Sequence, residues 1–310
     1  MTIGTHPVSA TRAAPASASA SAVVSSGAAF EIRPFDAPLG AEIVGLDLSE
    51  PLPAEDFARI HRAHLDHHVV VLRDQRITPG QQIAFSRRFG PLQIHVLHQF
   101  QLAGHPEILI VSNVLEDGKP IGLGDAGHFW HSDLSYKEKP SLGSLLHAQE
   151  LPAEGGDTLF ANMHLAWDTL PAHLKAAVEG RKAEHTYLAK YAELQQRSPW
   201  RPNLTPEQIA QVAPVLQPVV RTHPETGRRA LFVSEHFTTR IAGLPEDESR
   251  DLLAQLFAHS VKPEHIYRHR WQEHDLLFWD NRSLLHLAAG CPDALRRVMY
   301  RTTIEGDLPF

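Results

Sequence analysis

Two short segments, far apart in the chain, constrain its fold more than any other feature. One is Trp130-His131-Ser132-Asp133. The other is Trp279-Asp280-Asn281-Arg282, leading to His286, with Arg297 beyond it. Asp133 and His286 are 153 positions apart (286 − 133), so a fold that uses them together must bring the middle of the chain onto a stretch near its end. Two imidazoles and one monodentate carboxylate form the ligand set of a non-haem Fe(II) oxygenase, with positions left open for an α-keto acid and O₂. Arg297, 11 positions past His286 (297 − 286), can fork onto the far carboxylate of 2-oxoglutarate.

A His-x-Asp triplet alone is weak evidence, because His64-Leu65-Asp66 is a second copy. That copy falls on an expected helix over 53–66, where residues two apart do not face each other, so it reads as structural. His131-Ser132-Asp133 instead follows a Gly-rich loop, 122–127, and the aromatic pair Phe129-Trp130. At a strand end or loop the two side chains can converge on one metal. The third ligand has several candidates among the 21 histidines, including His147, His164, His236, His274 and His286. His286 stands out because it follows a strand ending in Trp279-Asp280-Asn281-Arg282. A Zn(II) hydrolase would want a closed tetrahedral set with one water and a nearby base, and it gives the arginines no role.

The hydrophobic fraction of 43% suits a globular core, and the net charge of −7 comes with no basic stripe, which argues against nucleic acid as a partner. No run approaches the roughly 20 apolar residues of a membrane span. The Ala- and Ser-rich residues 1–29 lack a charged n-region and a true apolar core, so they read as a disordered tail rather than a signal peptide. The single cysteine, Cys291, suits a reducing compartment, and the protein is expected to be cytoplasmic. One domain is expected over 30–310.

Periodicity and breakers predict strands over 30–33, 41–46, 69–72, 108–111, 141–149, 157–161, 266–271, 276–279, 284–287 and 298–304. A hairpin is expected where 219–222 and 230–233 flank Glu225-Thr226-Gly227. Helices are predicted over 53–66, from Pro79 to about 90 with Thr78 as cap, over 165–179 and over 246–260. The Pro-, Gln- and Tyr-rich stretch 186–218 reads as a lid or insertion without strand alternation. Many short strands with helices outside them suggest a mainly β, double-sheet jelly roll.

The ordered motifs resemble the TauD/TfdA family, the 2-oxoglutarate-dependent taurine and 2,4-dichlorophenoxyacetate dioxygenases. They are the two opening segments, Gly155-Gly156-Asp157-Thr158, Tyr267-Arg268-His269-Arg270-Trp271 and Arg296-Arg297-Val298-Met299-Tyr300-Arg301. The resemblance implies a double-stranded β-helix fold and use of Fe(II), 2-oxoglutarate and O₂. It implies iron ligation by His131, Asp133 and His286, and 2-oxoglutarate binding by Thr158 and Arg297. It also implies a small anionic organic substrate held by Arg301, with His95 and His98 at the substrate side. The implied reaction releases succinate and CO₂ and hydroxylates the substrate, and a homodimer or tetramer is implied too. The chain departs from taurine dioxygenases at His98, where they carry Tyr, and at Gly127, where they carry Asn; both departures argue against taurine itself. The alternative is a non-catalytic jelly-roll metal- or ligand-binding protein. A keto-acid halogenase would lack the Asp133 carboxylate.

Overall fold

The most apolar runs of the chain form the middle of its largest sheet. The computed structural model describes Met1 and residues 30–310 apart from 125, 199, 200 and 202, with the backbone alone at 211. The expected tail, residues 1–29, lies outside the described residues apart from Met1. Val69–Leu72 and Leu276–Asp280 are buried at every position and pair antiparallel. A strand covered on both faces needs this continuous apolar character rather than alternation.

The nine-stranded sheet runs in the order Glu31–Pro34, Ala41–Val44, Val69–Leu72, Leu276–Asp280, Ser141–Glu150, Val298–Glu305, His105–Ser112, Gln101–Leu102, with Leu92–Gln93 added beside Val298–Glu305. Its two faces follow the two-residue period of a strand. Leu276, Phe278, Leu145 and Ile304 point outward into a cluster with Ile60 and Ala63 of helix Ala54–His67 and Phe85 of helix Pro79–Ser86. Leu277, Trp279, Leu146 and Met299 point the other way, onto Phe160 and Leu284 of a second sheet.

That second sheet has three strands, Ile266–His269, Thr158–Asn162 and Leu284–Ala288, all antiparallel. Ala161 and Leu285 on its outer face pack against Leu252, Leu253 and Leu256 of helix Glu246–Ser260. Two facing sheets with helices outside are the expected jelly roll.

The differences from the expected elements have local causes. The helix expected over 165–179 is two, Met163–Asp168 and Ala172–Val178, because Pro171 bars its predecessor from helical geometry. The helix capped by the Thr78–Gln81 capping box stops at Ser86, before Gly90-Pro91. The 186–218 stretch is more regular than expected: it contains helices Tyr191–Arg197 and Pro206–Gln211 and ends in strand Val215–Pro218. That strand joins Lys182–His185 and Thr238–Ile241 in a small sheet with no counterpart among the expected strands. The hairpin is present as Val220–Thr222 and Arg229–Leu231. Among the described residues, no helix is long and apolar enough to cross a membrane.

Candidate active site

His131 is carried to His286 by backbone pairing. The His131 N–H donates to the His286 carbonyl at 3.1 Å, and the His286 N–H donates back to the His131 carbonyl at 2.8 Å. This single bridge extends the second sheet by one residue at its Leu284–Ala288 edge. It brings the two imidazoles together, with ring centroids 4.0 Å apart and planes tilted by 41°. The His131 Nδ1–H donates to the Phe129 carbonyl at 2.8 Å, which leaves Nε2 as the free lone pair. Nε2 lies 3.5 Å from Asp133 Oδ1, and His286 Nε2 lies 3.8 Å from the same oxygen. The three side chains are buried, and they form the one metal-binding constellation found among the described residues.

Asp133 is positioned by Asn281. Asn281 Oδ1 accepts from the Asp133 N–H at 3.2 Å and from Trp279 Nε1–H at 3.0 Å. Its backbone carbonyl accepts from Ser132 Oγ at 2.7 Å. Ser144 Oγ donates to Asp133 Oδ2 at 2.8 Å. Oδ2 is therefore occupied, while Oδ1 faces the imidazoles. Burial raises the Asp133 carboxyl pKa, but Arg301 and the two histidines outweigh it and hold the group well below the usual carboxylate range. Burial, reinforced by His131, keeps the His286 ring neutral. A carboxylate and neutral imidazoles are the protonation states a metal requires.

Arg301 lies within strand Val298–Glu305 and Arg297 just before it, and two-residue alternation puts both on the side of Met299, which faces the second sheet. Arg301 Nη1 reaches Asp133 Oδ1 at 3.4 Å. Arg297 lies in a separate cavity with Asn113, His128, Gly156 and Ala288. Its guanidinium is buried and has no ion pair among the described residues; its Nε–H has no acceptor, and burial pulls its pKa down to about 10. Beside it the Trp271 ring lies 5.9 Å away, and Trp271 Nε1–H donates to Thr158 Oγ1 at 3.1 Å. The Thr158 hydroxyl proton is thus free to be donated. A buried cation without an ion pair, next to a hydroxyl whose oxygen is already satisfied, has the chemistry to take a carboxylate.

The family described as "Taurine catabolism dioxygenase TauD, TfdA family" matches residues 31–303. The chain belongs to this TauD/TfdA family. It is 36% identical over 294 residues to the alpha-ketoglutarate-dependent 2,4-dichlorophenoxyacetate dioxygenase of Cupriavidus pinatubonensis, covering 89% of this chain and 97% of that one. It is 35% identical over 291 residues to the (S)-phenoxypropionate/alpha-ketoglutarate-dioxygenase of Sphingobium herbicidovorans, covering 90% and 96%. The crystal structure of AAD-2 in complex with Mn(II) and N-oxalylglycine superposes with a TM-score of 0.77 at 33% identity, over 91% of this chain and 99% of that one. The protein is a metal- and 2-oxoglutarate-dependent dioxygenase of the TauD/TfdA type, and the non-catalytic alternative finds no support.

On the Arg301 side the TauD/TfdA core opens into a cleft walled by His95, Leu109, Asp133, Tyr136, Tyr187 and Arg301. His95 faces this cleft; burial first, then Arg301 and Lys137, push its pKa down to about 3, so it is a neutral ring there. His98 does not join it: it sits exposed on a one-turn helix, bonded to Gln101 Nε2 at 2.9 Å. Gly127 holds a left-handed φ of +79°, a conformation open to Gly and Asn alike, and a Cβ there would lie 3.5 Å from the His131 ring edge. The decoy His64 is fully buried, stacked on Phe278 with centroids 3.7 Å apart and 3.5 Å from Asp280 Oδ2. Asp280 is itself forked by Arg282, with both bonds at 2.8 Å. That network braces the turn carrying Asn281. The positioning roles of Asn281, Ser144 and Trp271 were missed in the sequence, although Asn281 and Trp271 stand inside motifs already singled out there.

Proposed function

We propose that the protein is an Fe(II)-dependent dioxygenase that hydroxylates a small organic anion with an apolar body, an aryloxyalkanoate in preference to a sulfate ester or sulfonate. One observation carries this reading: a buried His/Asp/His cluster lies against the Arg301 guanidinium, and a second buried arginine, Arg297, four positions earlier, opens into a cavity walled by Ala288, two residues past His286. His131, Asp133 and His286 hold the iron, since two imidazoles and one carboxylate suit Fe(II) and leave positions open. Bound there, Fe(II) supplies O₂ activation coupled to oxidative decarboxylation of 2-oxoglutarate to succinate and CO₂, and with it hydroxylation of a substrate C–H bond.

The residues of the chain bind, orient and exclude water. Arg297 forks onto the distal carboxylate of 2-oxoglutarate, and the Thr158 hydroxyl donates to the same group because Trp271 already satisfies its oxygen. Asn281 and Ser144 fix the Asp133 carboxylate, so that one oxygen faces the metal. Arg301 takes the acidic head of the substrate, and the neutral His95 ring contributes a polar contact beside it. Leu109, Leu134, Tyr136 and Val212 line the apolar remainder of the cleft, which suits an aromatic or alkyl body. Tyr187 and Val212 come from the 186–218 segment, which serves as the lid of a single domain spanning 30–310. Hydroxylation at the carbon bearing the ether oxygen yields a hemiacetal, which splits into a phenol and an aldehyde acid. Cys291, free and the one cysteine of the chain, supports a cytoplasmic location. Exposed Leu115, Leu216 and Phe310 offer apolar surface for assembly as a dimer or tetramer.

The test is succinate formation with Fe(II), ascorbate and 2-oxoglutarate across a panel of aryloxyalkanoates, alkyl sulfates and sulfonates. Aryloxyalkanoates are expected to give the highest kcat/KM. His286→Ala is expected to abolish succinate release; a fully active variant removes His286 from the metal site.

A further inference from the structure

Arg301 is not the only cation on the wall of the substrate cleft. Lys137, four residues past Asp133, lines the same cleft. It is half-buried, and its ammonium makes one hydrogen bond, to Gln93 Oε1 at 3.4 Å. No carboxylate forms an ion pair with it among the described residues. Burial lowers its pKa, and Glu305 only partly opposes this. The acidic groups of the cleft are committed elsewhere: Glu107 pairs with Arg87 at 2.5 Å, and Asp133 belongs to the triad. Arg301, Lys137 and the His95 ring all line this one cleft.

A lone carboxylate is already satisfied by the fork of one guanidinium. Lys137 lines the cleft together with Ile94, Leu109 and Tyr136 and has no ion-paired carboxylate among the described residues, so its partial burial carries a desolvation cost that an anionic ligand offsets. We propose that Lys137 is a second substrate-binding residue and that the cleft selects organic anions carrying two negative charges over those carrying one. The proposal rests on the reading of this cleft as the substrate site. It concerns which anion that site prefers.

The test is calorimetric titration of two probes, phenoxyacetate and 4-carboxyphenoxyacetate, into protein loaded with Mn(II) and 2-oxoglutarate under anaerobic conditions. The doubly charged probe is expected to bind about ten-fold more tightly, the effect of one partly desolvated charge pair. Lys137→Gln is expected to erase that preference with 2-oxoglutarate affinity unchanged, and Lys137→Arg to keep it. Equal affinities in the unmodified protein, no binding of the dianion, or an equal loss for both probes in Lys137→Gln overturns the proposal. Binding requires no turnover, so a protein that discriminates the probes yet forms no succinate refutes the assigned reaction and leaves the role of Lys137 standing.

Discussion

Arg297, just before strand Val298–Glu305, and Arg301, within it, stand four positions apart yet face different chemistry. Arg297 is buried with no ion-paired carboxylate among the described residues, while Arg301 leans on the Asp133 carboxylate at 3.4 Å. Truncating either should therefore have opposite signatures. Arg301→Ala is expected to raise KM for the organic substrate about a hundred-fold and leave KM for 2-oxoglutarate within about two-fold, since a desolvated charge pair is worth several kcal/mol. Arg297→Ala is expected to do the reverse. Steady-state kinetics with each substrate varied in turn decides this, and parallel losses in both constants would refute the division of roles. Asn281 acts through Asp133 rather than on any reactant. Asn281→Ala is expected to weaken metal affinity about 10- to 100-fold, the usual cost of losing a group that orients a ligand, while far-UV circular dichroism stays unchanged.

At the scale of elements, the turn before strand Thr158–Asn162 ties backbone conformation to cofactor binding. Gly156 has φ +77°, and a Cβ there would lie 2.9 Å from Pro152 Cγ and 3.3 Å from Arg297 Cδ. Gly156→Ala combines left-handed strain of about 1–3 kcal/mol with pressure on the arginine. It is expected to raise KM for 2-oxoglutarate several-fold without moving KM for the organic substrate; an unchanged 2-oxoglutarate KM separates this turn from the site. The elements also show where a one-dimensional reading stops. Strands 69–72 and 276–279 were visible as unbroken apolar runs, and helix 246–260 as a stripe. The small sheet of Lys182–His185, Val215–Pro218 and Thr238–Ile241 was not, because its strands are short, only partly apolar, and paired across long intervals. Pro171 carried enough information to split the 165–179 helix, but the helical periodicity on either side of it concealed the break.

Across the whole molecule, the abundance of histidine sets a pH limit on stability. His64, His68 and His185 are buried and held neutral, with pKa values lowered to about 3, and His164 to about 4, burial being the largest cause in each. In the unfolded chain each takes up a proton near pH 6.5. Their contribution to stability is full above that pH and is lost as pH falls from about 6.5 toward the folded-state values. The loss is on the order of 1 kcal/mol per group per pH unit, so four groups consume much of a typical folding free energy by about pH 5. Urea midpoints are expected to be flat from pH 7 to 8 and to fall steeply below about 6.5; a midpoint unchanged at pH 5 would contradict this account. The sequence by itself brought out the candidate set, because His131, Asp133 and His286 are metal-ligand residue types, and Thr158, Arg297 and Arg301 complete an order that resembles the TauD/TfdA family; the apolar runs marked the central strands. Only the tertiary structure decided that His98 stands outside the cleft, that Asn281 bonds to Asp133 and that Lys137 lines the cleft; it also set His64, read from the sequence as structural, against Asp280. The reason is physical. Ligand chemistry is written in residue type, but which side chains share a cavity depends on strand pairs that join residues more than 100 positions apart, such as Asp280 with Gly143 and His131 with His286.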